Sequence, residues 1–393
     1  MVTQHVNWSM KQLLFLIVPV LLFSTAFATH PQKNNPSKHR ERFDSHATPA
    51  DSIPTRNVIV VTLDGYRWQE LFLGARKNLV GYKKFVTDVP ALKEAYWSKS
   101  QQERREKLMP FIWGTVAAQG QIYGNRRNHN KMQVTNKYRF SFPGYSEIFC
   151  GFADKKINSN SYPDNPDKNI FDLLAAQPDF NNKIAVFSTW NAFTRIINSG
   201  RNGVPAYSDF VAGGDTVAYS NGLAFNQWST AIPVSNGFIT DDTLTYHFAK
   251  EYISKYHPRF AFIGFDETDH FGHAKRYDAY LYTANLEDAY LSDLWSMLQQ
   301  DSIYANNTTL IITCDHGRGR LPKMRWRSHG VNYIYSKQTW MAVIGPDTPA
   351  SGEMHGGSKH YQNQIAATIA ALFRLNYTNS PTPGSVITGV LGK

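Results

Sequence analysis

The strongest constraint in this chain is a set of short apolar runs, each ending abruptly at a polar or acidic residue or a glycine. They span residues 58–63 before Asp64, 184–187 before Ser188, 260–265 before Asp266, 310–313 before Asp315, and 340–344 before Gly345. Continuous β-branched and aromatic runs without polar alternation are the pattern of strands buried on both faces. Helical patterns lie between them. Ala279, Tyr282, Leu286, Tyr290, Leu294 and Met297 recur at spacings of three and four, which predicts an amphipathic helix, and residues 365–375 predict another. The alternation predicts an α/β fold: a single domain with a largely parallel central sheet and helices on both faces. In such sheets ligands bind beyond the carboxyl ends of the strands.

The first thirty residues have a different character. Lys11 precedes an apolar stretch over 13–23, followed by Ala26, Phe27 and Ala28 in the small-x-small order of a cleavage site. This predicts a signal peptide over residues 1–28 and export to a periplasm or the exterior, with an uncleaved anchor as the alternative. Residues 29–56 are polar and rich in Pro, His and Ser, the composition of a flexible linker, so the folded domain is expected over 57–393. No later apolar run reaches the roughly 18 residues needed to cross a bilayer, so no transmembrane segment is expected in the mature chain.

Cys150 and Cys314 each sit in an apolar run and read as small buried thiols rather than a disulfide. The net charge of +10 suits an anionic partner, but no motif of a nucleic-acid-binding module is present. The 101–107 stretch reads as a solvated helix face. Arg318, Arg320, Lys323, Arg325 and Arg327 form one cluster, expected either to draw small anions to a site or to be an exposed basic loop.

Four segments place metal-type ligands near predicted strand ends: Asp64 in Leu-Asp-Gly, Asp269 and His273 in Asp-His-Phe-Gly-His, Asp315 and His316 in Asp-His-Gly, and His329 in Ser-His-Gly. Singly, an Asp after a strand is a common cap or turn residue, and a lone His is a common surface or core residue. Together they supply six mixed carboxylate and imidazole ligands, enough for two metal ions. That chemistry suits Zn2+, or Mn2+, better than Ca2+, which takes oxygen alone. Ser141 precedes Phe142-Pro143-Gly144 and a helical stretch, so it is either an N-cap or a hydroxyl held at the positive end of a helix.

The array resembles the alkaline phosphatase superfamily, and within it the type I phosphodiesterase and nucleotide pyrophosphatase branch. The resemblance runs in order from Leu63-Asp64-Gly65 through Ser141-Phe142-Pro143-Gly144-Tyr145, then Asp269 to His273, Asp315-His316-Gly317 and His329. It implies an alkaline phosphatase-like fold and a phosphoester hydrolase, with Ser141 as nucleophile in place of the usual Thr. It further implies one metal held by Asp269, His273 and His329, and another held by Asp64, Asp315, His316 and the Ser141 oxygen. Asn160 is implied as the phosphate-clamping residue, and the substrate as a small anionic phosphoester. His355 and His360 are alternatives to His329. Sulfatases resemble this pattern but carry Arg where this chain has Tyr145. A sulfatase or phosphomutase relative on the same scaffold, and a noncatalytic exported metal-binding protein, are the competing expectations.

Overall fold

A computed structural model describes residues 55–208, 242–320 and 322–392. The predicted signal peptide and all but the last two residues of the predicted linker lie outside them. Residues Asp51–Lys393 form one compact unit. At its centre is an eight-stranded sheet of order β10-β2-β9-β7-β1-β6-β4-β5. Its strands are β1 (Asn57–Leu63), β2 (Gln121–Tyr123), β4 (Ile184–Ser188), β5 (Ala206–Tyr207), β6 (Phe260–Phe265), β7 (Thr308–Thr313), β9 (Met341–Ile344) and β10 (Gly352–Glu353). A small sheet of β3 (Lys131–Gln133), β8 (Gln338–Thr339) and β11 (Lys359–Tyr361) stands apart from it in pairing.

The five apolar runs are β1, β4, β6, β7 and β9. Strand alternation sends Ile59, Val61 and Leu63 of β1 into one core, and Val58 and Val60 into another. Ala261 and Ile263 of β6 join the first core, while Phe260 and Phe262 join the second. Both faces are therefore dry, which is why these segments carry no polar alternation. The Tyr277–Gln300 and Asp242–Tyr256 helices cover the first face, and the Ser141–Cys150 and Ile365–Leu372 helices cover the second.

The sheet is largely parallel, as expected, with one exception, and one expectation needs correction. Strand β9 pairs antiparallel with both β7 and β2, while the other pairings of this sheet are parallel. Burial on both faces produces the same apolar run whichever way a strand points. The predicted helix is present, but its core face is Tyr277, Tyr280, Leu281, Ala284, Leu291, Leu294 and Leu298, whereas Tyr282 and Leu286 are exposed. Glu287 and Asp288 share the buried face and disguise it. Asp288 is held there by the backbone N–H groups of Phe111 and Ile112, at 2.7 and 3.1 Å.

Cys150 and Cys314 are separate buried thiols. The Gln101–Leu108 helix is exposed along most of its length, as expected. No described helix is long and apolar enough to cross a membrane.

Parallel register is what assembles the site. With Leu63 opposite Phe265 and Thr62 opposite Thr313, the residues following β1, β6 and β7 emerge side by side at one sheet edge. Asp64, Asp266 and Asp315 all come from those strand ends.

Candidate active site

Asp64 and Asp315 are buried and each is held by one carboxylate oxygen. Tyr145 donates its hydroxyl to Asp64 Oδ2 at 3.0 Å, and the Gly65 N–H donates to Asp315 Oδ1 at 3.0 Å. The remaining atoms, Asp64 Oδ1 and Asp315 Oδ2, are buried without a hydrogen-bond partner. They stand 3.6 and 3.3 Å from His316 Nε2. The carbonyl of Gly317 accepts from His316 Nδ1 at 3.0 Å, so the proton sits on Nδ1 and Nε2 presents a lone pair. Two orphaned oxygens and a bare nitrogen thus face one another.

A second group lies beside it. The Glu267–His273 helix carries Asp269 and His273 one turn apart, with His273 Nε2 at 3.1 Å from Asp269 Oδ2. His329 Nε2 is 3.0 Å from His273 Nε2 and 3.8 Å from Asp269 Oδ1. Its Nδ1 donates to the Arg139 carbonyl at 2.8 Å, which again leaves Nε2 bare. The His316 and His329 rings stack with centroids 3.8 Å apart and join the two groups. His360 is elsewhere, on β11 of the small sheet with its ring against Tyr123 of β2, and His355 is exposed.

Ser141 opens the Ser141–Cys150 helix, with Phe140 in the cap position. Its hydroxyl donates to His316 Nε2 at 3.3 Å. Asn160 Oδ1 accepts from the Phe142 N–H at 3.0 Å. Ser141, Asn160, Trp190, Arg195, Asp269 and His329 border a cavity of about 530 Å³. Two glycines permit this closeness. A Cβ on Gly144 would lie 2.8 Å from the Asp315 carbonyl, and one on Gly65, at φ +61°, would lie 2.5 Å from Asp269 Oδ1.

The electrostatics call for a cation. Burial raises the Asp64 carboxyl well above its ordinary value, and Asp315, Asp269 and Asp266 add repulsion. Asp315 is pushed up to about 7, chiefly by burial. Burial alone would raise Asp269 too, but Arg318, His329 and His273 outweigh it and hold that carboxyl well below the usual range. Burial also lowers His316, and lowers His329 to about 4, so both rings are neutral at neutral pH, the form that ligates metals. Ligand atoms of Asp64, Asp315 and His316 lie within 4.8 Å of one another, as do those of Asp269, His316 and His329. The donor set, the orphaned oxygens and the neutral rings all fit divalent ions.

Arg318 corrects the expectation for the basic cluster. It is buried, pairs through Nη1 with Asp269 Oδ1, and donates Nε to the Trp326 carbonyl at 3.0 Å. It is an internal counterion, neither a free steering charge nor part of an exposed loop. Sequence reasoning also missed Asp266, Arg195 and the bond from Tyr145 to Asp64. Asp266 had a readable signal, since it follows β6 as Asp64 follows β1.

Residues 77–375 match the family model for type I phosphodiesterase / nucleotide pyrophosphatase. The chain belongs to that family. Membership places it among the ester hydrolases of the alkaline phosphatase superfamily, as the resemblance implied. Solved structures agree on the fold. Wild-type alkaline phosphatase PafA shares 12% identity over 87% of this chain and 100% of its own, with a TM-score of 0.54. The lipoteichoic acid synthase LtaP from Listeria monocytogenes shares 12% identity over 86% of this chain and 76% of its own, at 0.54. BT1596, a 2-O GAG sulfatase, shares 12% identity over 86% of this chain and 75% of its own, at 0.54. None of the curated proteins matches the sequence.

Proposed function

We propose that this chain is an exported phosphoester hydrolase in which Ser141 attacks phosphorus. Two divalent cations, Zn2+ or else Mn2+, would be held by Asp64, Asp315 and His316 on one side and by Asp269, His273 and His329 on the other. The observation that carries this reading is the convergence of the unpartnered Asp64 and Asp315 oxygens on His316 Nε2, itself 3.3 Å from Ser141 Oγ. Cations held there would acidify the serine hydroxyl and neutralise charge on the phosphoryl oxygens.

The protein's own groups define the rest. Asn160 and Arg195 border the cavity and orient the phosphoryl oxygens, while the positive end of the Ser141–Cys150 helix dipole favours negative charge at Ser141. Ser141 Oγ loses its proton to solvent and forms a bond to phosphorus as the bond to the leaving alcohol breaks. Water then attacks the phosphoseryl ester, releasing phosphate or a phosphomonoester and restoring the hydroxyl. Tyr145 stands where a sulfatase carries Arg, and its hydroxyl is committed to Asp64, which favours phosphate over sulfate esters. The N-terminal apolar segment and its small-x-small site support export.

The test is turnover of p-nitrophenyl phosphate, bis-p-nitrophenyl phosphate and a matching sulfate ester by wild type and Ser141→Ala, with metal content measured on both. Loss of turnover in the variant with two metals retained is expected. Wild-type rates in Ser141→Ala, or a preference for sulfate, would overturn the reading.

A further inference from the structure

A second cavity, of about 580 Å³, is bordered by Trp326, whose carbonyl accepts from Arg318. The charged residues lining it, Arg67, Arg76, Lys77 and Arg320, are all cationic, and Gln69 and Trp326 line it as well. Arg67 is internally neutralised. Its Nε donates to Glu70 Oε2 at 2.7 Å, Nη2 pairs with Oε1, and Nη1 donates to the Gly319 carbonyl at 3.3 Å. Arg76, Lys77 and Arg320 have no carboxylate partner among the described residues. The cavity therefore carries a surplus of three positive charges, which its walls concentrate.

Among the described residues the side chains of Arg76, Lys77 and Arg320 make no hydrogen bond, so two guanidinium forks and one ammonium group line the cavity with their donors unused. That set matches an oxyanion, which accepts at several oxygens at once.

We infer that this cavity binds a phosphate-class oxyanion, carried either as a second phosphate group of the substrate or as free phosphate. The site is distinct from Ser141 and does not depend on the reaction assigned there. Its contacts reach the first cavity through one side chain, because Arg318 donates to the Trp326 carbonyl and pairs with Asp269. Occupancy would steady Arg320 and Trp326, and through the Trp326 carbonyl the Asp269 counterion Arg318.

Calorimetric titration of inorganic phosphate into the full-length, metal-loaded protein tests this directly. Two saturable events are expected, one matching the inhibition constant of phosphate against p-nitrophenyl phosphate hydrolysis. Arg76→Ala and Arg320→Ala should each weaken the other event about tenfold, the loss expected for one charge-assisted hydrogen bond, with the inhibition constant unchanged. Arg76→Lys should restore part of it. A single event equal to the inhibition constant, or a second event indifferent to both substitutions, overturns the proposal. KM identifies the source. A rise in Arg76→Ala confined to substrates with a second phosphate assigns the oxyanion to the substrate, and unchanged KM values with the calorimetric loss assign it to free phosphate. Wild-type rates in Ser141→Ala would sink the hydrolase mechanism yet leave the phosphate titration as it is, so the two failures can be told apart.

Discussion

The two ligand groups beside Ser141 are built in different ways. Asp64, Asp315 and His316 are wholly buried, and they sit just past neighbouring strands whose register is fixed by backbone bonds. Asp269, His273 and His329 come from a helix and an irregular segment, and the His273 side chain is 49% exposed. The inner group is placed by the sheet itself, with Tyr145 and the Gly65 N–H each holding one carboxylate oxygen. The outer group depends on a counterion, Arg318, reaching in from the segment after β7. A rigid scaffold sets the first, and an adjustable ion pair sets the second.

The largest expected effect breaks the inner group. Asp64→Asn should lower turnover by at least about 100-fold and release one metal equivalent per chain, since a ligand should matter more than the 10–100-fold typical of its supporting partners. Retention of both metals at wild-type turnover would show that the strand ends do not form a metal site. For the outer group, Arg318→Ala leaves Asp269 without its counterion, and breaking a buried pair costs about 3–5 kcal/mol. A fall in melting temperature that does not vary with salt is expected, whereas a purely salt-dependent KM effect would restore the steering role.

His273→Ala should weaken one metal by more than the 10–100-fold typical of a supporting partner, with the stability of the metal-free protein altered by less than about 0.5 kcal/mol, because the side chain is half exposed. Equal losses of both metals would erase the distinction between the groups. Tyr145→Phe removes one hydrogen bond to Asp64, worth about 1 kcal/mol, and should loosen the inner metal alone. The last effect is in pH. Asp315 titrates near 7 in the folded protein against 3.8 ordinarily, so the metal-free fold holds that proton more tightly than the unfolded chain does. Its contribution to stability is full below about pH 4 and is lost as pH rises toward 7. Thermal melts of chelated protein should show this decline, and metal should diminish it; an identical slope with metal bound would mean that Asp315 does not face the cation.

Much of this was readable along the chain. The runs at β1, β4, β6, β7 and β9 announced themselves because burial on both faces removes polar alternation, and the acidic residues after them marked the functional edge of the sheet. The direction of β9 was not readable, since a dry strand looks the same either way round. Nor was the true core face of the Tyr277–Gln300 helix, where Glu287 and Asp288 interrupt the apolar stripe. Arg318 looked like one surface charge among several because nothing local distinguishes a guanidinium bound for Asp269 from one bound for water.

By itself the sequence determined the class of fold, the family, and the residue types that converge, because strand burial and ligand chemistry leave marks on individual positions. Tertiary structure decided which donor atoms remain bare, which carboxylates gain a counterion, and where a cationic cavity opens behind Trp326. Those outcomes depend on distances of a few ångströms between residues up to 250 positions apart, as between Gly65 and Asp315. Hydrogen-bond and Coulomb energies are set by such separations, and a linear pattern does not contain them.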